Sequence, residues 1–230
     1  MQIKLQISYN MAKKEITKVE ETAIDEQLSK TEKFLEEKDN QKKIIYFFIA
    51  IILLVAIVFG WRWMSQRNNE KAQEEIWSSE LLFDQGQYEQ ALDGFEAVVN
   101  EYGSTKAGNT AKAYAGLCYK NLGNYEDAIK YLQDFDGGDN VIAPAILCAL
   151  GDCYVDQETP DYNKAADTFE KAAKAANNAQ YSPLFLRKAG LAYEAAGDNN
   201  NALKAYQNIK DNWAETSIAQ TIDKYIERVK

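Results

Sequence analysis

The chain has no histidine among its 230 residues. That removes the commonest general base near neutral pH, the commonest transition-metal ligand, and any Ser-His or Cys-His nucleophile pair. It also has no glycine-rich phosphate loop, no metal-ligand spacing and no paired carboxylates set out for catalysis. No enzyme activity, cofactor or metal is therefore expected. Cysteine is scarce, with only Cys118, Cys148 and Cys153 present. Cys148 and Cys153 lie on one predicted helix and point to different sides, so they cannot bridge each other. Cys118 and Cys153 occupy equivalent places in successive units, where helix axes run roughly 8–10 Å apart and a disulfide would need favourable aim. Free, buried thiols are the expectation, because cysteine packs as a small apolar side chain.

An excess of basic residues is missing too. The net charge is −9, and it is unevenly spread. The first 43 residues hold nine lysines and nine acids, so everything after the apolar run carries the whole imbalance. An acidic surface argues against nucleic acid and against lying flat on anionic lipid. The run Asp134 to Asn140, DFDGGDN, has acids at calcium-loop density but lacks the ordered spacing and closing glutamate of such a loop. It reads as a polar turn between repeats.

Ile44 to Trp61 is 18 residues without a charge. As a helix it is roughly 27 Å long, close to the hydrocarbon thickness of a bilayer. Lys42 and Lys43 stop it on one side, with Tyr46 just inside; Trp61 and Trp63 form an aromatic belt on the other, beside Arg62. A cleaved signal is disfavoured, since 43 residues precede the run and bulky WRWMSQ follows it. The expected transmembrane helix is 44–64. Lys30, Lys33, Lys38, Lys42 and Lys43 before the run outnumber Arg62, Arg67 and Lys71 after it. That bias keeps the N-terminus in the cytoplasm and exports the rest. Residues 1–43 read as a polar cytoplasmic tail, largely disordered, with one weak amphipathic pattern through Ile24, Leu28 and Leu35. MAKKE at Met11 also reads like a natural start.

Four alanines, Ala91, Ala128, Ala165 and Ala202, recur every 37 residues, each inside a similar phrase: GQYEQALDGF, GNYEDAIKYL, PDYNKAADTF and GDNNNALKAY. Self-similarity at such a period marks a solenoid, in which each unit buries its apolar face only by stacking on its neighbours. Each unit splits into two helices at a turn. In the second, Gly116 and Ala128 let two helix backbones approach, while Tyr119 and Leu132 fill the space beside them.

This arrangement resembles the tetratricopeptide repeat, whose pattern runs L-G-x-x-Y and then G-x-Y-x-x-A-x-x-x-F. The first unit matches at Leu82, Gly86, Tyr88, Ala91 and Phe95, and the second at Gly116, Tyr119, Gly123, Tyr125 and Ala128. The third matches at Gly151, Tyr154, Tyr162, Ala165, Phe169 and Ala172, and the fourth at Gly190, Tyr193, Gly197, Ala202 and Tyr206. The period is longer than the family's 34. In the third unit two extra residues fall in the internal turn, VDQETPDY; Ser79 stands for the usual glycine in the first unit, and Asn199 for the usual aromatic in the last.

The expected architecture is all-α: a single transmembrane helix, then a solenoid over 65–230. Its repeats lie at about 73–104, 108–138, 144–178 and 183–213, with a capping helix over 216–230. Ile218, Ile222, Tyr225, Ile226 and Val229 line one face of that cap, and Thr216 or Ser217 starts it. RNNEKAQEEIW, between anchor and repeats, has no proline or glycine, so the helix is expected to continue into the first repeat without a flexible tether.

The resemblance implies that the first helix of each unit lines a groove for a peptide or partner helix. The positions of this chain that would face it are Ile76, Phe83, Leu117, Lys120, Asn121, Asp152, Asp156, Arg187, Leu191 and Glu194. They lack the lysine and asparagine set with which family members clamp a C-terminal carboxylate. The layout is also similar to the ancillary subunit of the bacterial Sec translocon, which implies a periplasmic scaffold of the inner membrane assisting secretion or handover of exported proteins. Two alternatives stand beside it: a structural adaptor for an envelope assembly complex, and a cytoplasm-facing docking platform if the topology is inverted.

Overall fold

The computed structural model describes residues 27–30, 38–138 and 142–230. Residues 1–26 and 31–37, and with them Ile24, Leu35 and Met11, lie outside the described residues. The chain falls into two units, residues 1–63 and 64–230.

Helix α1, Lys38–Asp84, is continuous over 47 residues and extends well past both ends of the expected span. Its portion in the first unit carries the apolar run, whose large side chains are exposed all round, from Ile45 to Trp63. This helix is long and apolar enough to cross a membrane. No polar stripe interrupts the run.

The second unit is built from paired helices. The end of α1 pairs with α2 (Tyr88–Tyr102), α3 (Lys106–Asn121) with α4 (Tyr125–Gln133), α5 (Ala143–Asp156) with α6 (Tyr162–Ala176), and α7 (Ser182–Ala195) with α8 (Asn199–Asn212). The second helices begin 37 residues apart, at Tyr88, Tyr125, Tyr162 and Asn199. All regular structure among the described residues is helical.

Three of the four turns inside the pairs share one geometry. Gly86, Gly123 and Gly197 sit at φ +75°, +79° and +79°, a left-handed conformation that costs a side-chain-bearing residue energy. The next residue's N–H then reaches back to the carbonyl of Leu82, Tyr119 or Tyr193, each at 2.9 Å, satisfying the last helical turn. The side chains of Asn124, Asp161 and Asp198 cap the helices that follow by accepting from the N–H groups of Asp127, Lys164 and Asn201. The third turn is two residues longer and has Pro160 in place of the glycine. There the Asp161 N–H spans the longer loop to the Tyr154 carbonyl at 2.9 Å.

Close approach within each pair depends on a small residue opposite a large one. A Cβ placed on Gly116 would lie 2.7 Å from Leu132; on Gly151, 2.6 Å from Phe169; on Gly190, 2.2 Å from Tyr206. Leu132 is the large residue that Gly116 makes room for. In the first pair the roles reverse. Ser79 is buried where the others have glycine, and Gly94 on α2 gives way, since a Cβ there would lie 2.0 Å from the Ser79 hydroxyl.

Between repeats, tyrosines of the first helices reach carboxylates on the preceding second helix. Tyr119 donates to Glu96 at 2.7 Å and Tyr193 to Asp167 at 3.1 Å, while Tyr154 accepts from Gln133. Tyr119 is thus an inter-repeat tie as well as a space-filler. Its hydroxyl is pushed up to about 12 by the Glu96 hydrogen bond and by burial. Cys118 and Cys153 are buried free thiols, each raised to about 12 by burial, and Cys148 is a half-buried free thiol.

After Trp213 the expected helix over 216–230 is broken into a 3-10 turn, Ala219–Thr221, and a short helix α9, Asp223–Arg228. The Thr216 hydroxyl accepts from the Ala219 N–H, as expected of a cap at the start, and donates to the Trp213 carbonyl. The apolar face survives the break. Ile222, Ile226 and Val229 are buried and join the core that includes Tyr206 and Ile209.

Candidate protein-binding groove

The expected groove positions lie on the first helix of each pair, the end of α1 and then α3, α5 and α7, and sort into three groups. Some are structural. Ile76 is only 4% exposed and packs with Ala72, Phe95 and Val98, so it cannot meet a partner. Phe83 is half-buried, edge-on to Tyr88 at 5.3 Å and to Tyr114 at 5.2 Å. The Asn121 side chain donates to the Leu117 carbonyl of its own helix at 2.7 Å.

Others are already engaged by charge. Asp152 holds Lys188 through both oxygens, at 2.6 and 2.9 Å. Burial works against the Lys188 charge, but the Asp152 hydrogen bond and the neighbouring groups outweigh it and hold the ammonium above its ordinary range. Glu194 accepts from Arg228 at 2.7 Å and from the Tyr206 hydroxyl, tying α7 to the cap.

The remainder are available. Leu117, Lys120 and Arg187 are half-buried, while Asp156 and Leu191 are exposed. Between α5 and α7 a cavity of about 210 Å³ opens, lined by Val155, Tyr162, Phe169, Leu191, Ala192 and Ala195 with the Asp152–Lys188 pair at its edge. It suits a single apolar side chain in size and lining. The Lys188 ammonium stands 5.3 Å from the Phe169 ring centre, so its charge is held both by the carboxylate and by the ring face.

Asp152 and Leu191 are among the groove positions expected from the sequence; Lys188 and Val155 are not, and Phe169 is expected only as a repeat-packing residue. Gly151 and Gly190, 39 residues apart, set the register of α5 and α7, so Lys188 lies about one turn before the place equivalent to Asp152.

Three segments, residues 77–105, 114–135 and 186–216, match the tetratricopeptide repeat family model. The third pair, with its longer turn, falls outside them. Comparison with curated proteins finds no significant match. Among solved structures, the chain is similar to a kinesin light chain-like protein of nearly identical TPR-like repeats from Podosopora anserina, at 13% identity and TM-score 0.52 over 70% of this chain and 85% of that one. It is also similar to MamA protein, at 16% identity and TM-score 0.51 over 71% of this chain and 91% of that one. Those three segments therefore read as tetratricopeptide repeats, and the chain folds as a TPR-like helical solenoid. Repeats of this class indicate a scaffold for protein–protein interaction. The resemblance to a translocon subunit gains no support from these matches.

Proposed function

We propose that the protein is a membrane-anchored scaffold that holds a polypeptide segment along α3, α5 and α7, with an apolar side chain of that segment seated between α5 and α7. The observation that carries the reading is the open cavity beside Leu191, apolar on its walls and edged by the Asp152–Lys188 pair. The anchor is the run Ile44–Trp61, supported by an apolar surface exposed on every side of its helix. Leaving such a surface in water would cost about 25 cal/mol for each Å², which a bilayer removes.

The lysine bias supports a cytoplasmic N-terminus with the repeats on the far side of the membrane, and the layout resemblance makes that membrane, in this reading, the bacterial inner membrane with the repeats in the periplasm. Service to secreted or envelope proteins is the finer role that follows from that placement. Alkaline phosphatase fused after Lys230 should be active and a cytoplasmic reporter fused there silent. The reverse pattern would make the solenoid a cytoplasmic docking platform. Photo-crosslinking from Leu117 and Leu191 in cells should capture extended or helical segments of other proteins. No capture from either position would overturn the groove reading.

A further inference from the structure

The end of α1 has two faces at helical spacing. Ala72, Ile76, Ser79 and Phe83 turn inward, the first three buried and Phe83 half-buried. Glu70, Glu74, Trp77, Leu81 and Asp84 follow one another at intervals of four, three, four and three residues, which puts them on one stripe. All five are exposed, Trp77 by 71% and Leu81 by 51%. The stripe runs for about 21 Å along the helix.

Charge gives this face its meaning. Between Lys71 and Lys106 the sequence holds eight carboxylates and no lysine or arginine, so the first pair of helices carries nearly all of the net −9. The later pairs mix both signs. Three of the eight are occupied within the fold: Glu75 accepts from Tyr102 at 3.3 Å, Glu101 also holds the Tyr102 hydroxyl, and Glu96 accepts from Tyr119 and from Tyr131 at 2.8 Å. Glu74 and Asp84 flank the Trp77–Leu81 pair on the stripe itself, with Glu70 one turn further out.

We infer that this stripe is a second docking surface, separate from the groove, for a basic amphipathic helix of a partner protein. A straight row at three- and four-residue spacing is what a second helix can lie along. A large aromatic and a leucine supply the apolar centre that such interfaces depend on, and the carboxylates on either side select lysine and arginine at the rim. The same carboxylates repel nucleic acid and anionic lipid. A second copy of the stripe would set like charges opposite one another, so self-association through it is disfavoured.

The test is a benzophenone amino acid placed at position 77 or 81 of the full-length chain in cells, with the crosslinked peptides sequenced. The expected captures are helical segments of other proteins in which lysine and arginine outnumber acids. Their yield should fall about tenfold when Glu74→Lys and Asp84→Lys reverse the flanking charge. Capture from Leu117 in the groove should be unchanged by those two substitutions, which separates this surface from the groove. Because Trp77 is mostly exposed, Trp77→Ala should leave the melting temperature unaltered, so the face can be probed without unfolding the protein. The inference is overturned by capture of acidic or uncharged segments, of lipid, of a second copy or of this chain's own residues 1–43. Yields indifferent to charge reversal, or no capture, would overturn it equally.

Discussion

Gly190 faces Tyr206 across a gap with no room for a methyl group, since an added Cβ would lie 2.2 Å from the ring. The ring cannot swing away cheaply because its hydroxyl is bound to Glu194, which Arg228 also holds. Gly190→Ala should therefore destabilise the protein by about 1–3 kcal/mol in urea melts, the usual cost of overpacking. The same logic makes Gly94 and Ser79 a coupled pair. The substitution Gly94→Ala should be costly alone and largely rescued by Ser79→Gly, and additive effects in a double-mutant cycle would contradict the reading. The sequence pattern displayed the glycines at positions 116, 151 and 190, because each opens the same G-x-x-Y phrase. It displayed Ser79 only as a departure, because its compensation lies 15 residues away on the partner helix and outside the repeat signature. Titration is also a residue-level matter. Cys118 and Cys153 rise from 9.0 to about 12, so their folded pKa values exceed the unfolded ones. Stability from the neutral thiols is fully present below about pH 9 and is lost as pH rises toward 12. Melting temperature should fall across that alkaline window, and an unchanged melt at pH 10.5 would count against buried thiols.

At the level of elements, the turns differ in kind from the packed glycines. Gly123 has φ +79° and open space around it, so Gly123→Ala meets no clash and costs only the left-handed backbone, about 1 kcal/mol. A thermal melt comparing it with Gly190→Ala should show the smaller loss at the turn. The split of each unit at a turn was legible, since a glycine stands in three of the four turns and an Asn or Asp caps three of the four second helices. The cap was legible only in its apolar face. Its break at Ile222, next to Thr221 whose hydroxyl bonds the Ile218 carbonyl, is local backbone geometry that periodicity does not register. The groove was half legible for a related reason. The repeat phase indicates which face of each first helix turns outward, yet Ile76 is taken into the core and Asp152 is taken by Lys188. Such contacts depend on neighbours one repeat away. Within α1, residues 64–84 form unbroken helix. Limited proteolysis should spare Arg67 to Glu75, and rapid cleavage there would contradict a continuous helix.

Over the whole molecule, the solenoid divides labour along its length. Repeats bury apolar area against neighbours, and ties such as Tyr119–Glu96 and Tyr193–Asp167 hold their register. Among the described residues, three exposed features carry the functional reading: the apolar run of α1, the acidic first pair and the cavity between α5 and α7. The claim that matters most is that this cavity receives a partner's side chain. Ala195 is exposed at its edge, so Ala195→Trp would fill the space of about 210 Å³ without disturbing buried packing. The decisive measurement is photo-crosslinking from Leu117 in the full-length chain with and without Ala195→Trp. The account predicts that the substitution reduces capture about tenfold while the melting temperature stays the same. Capture that persists with the cavity filled would show that no partner side chain enters it.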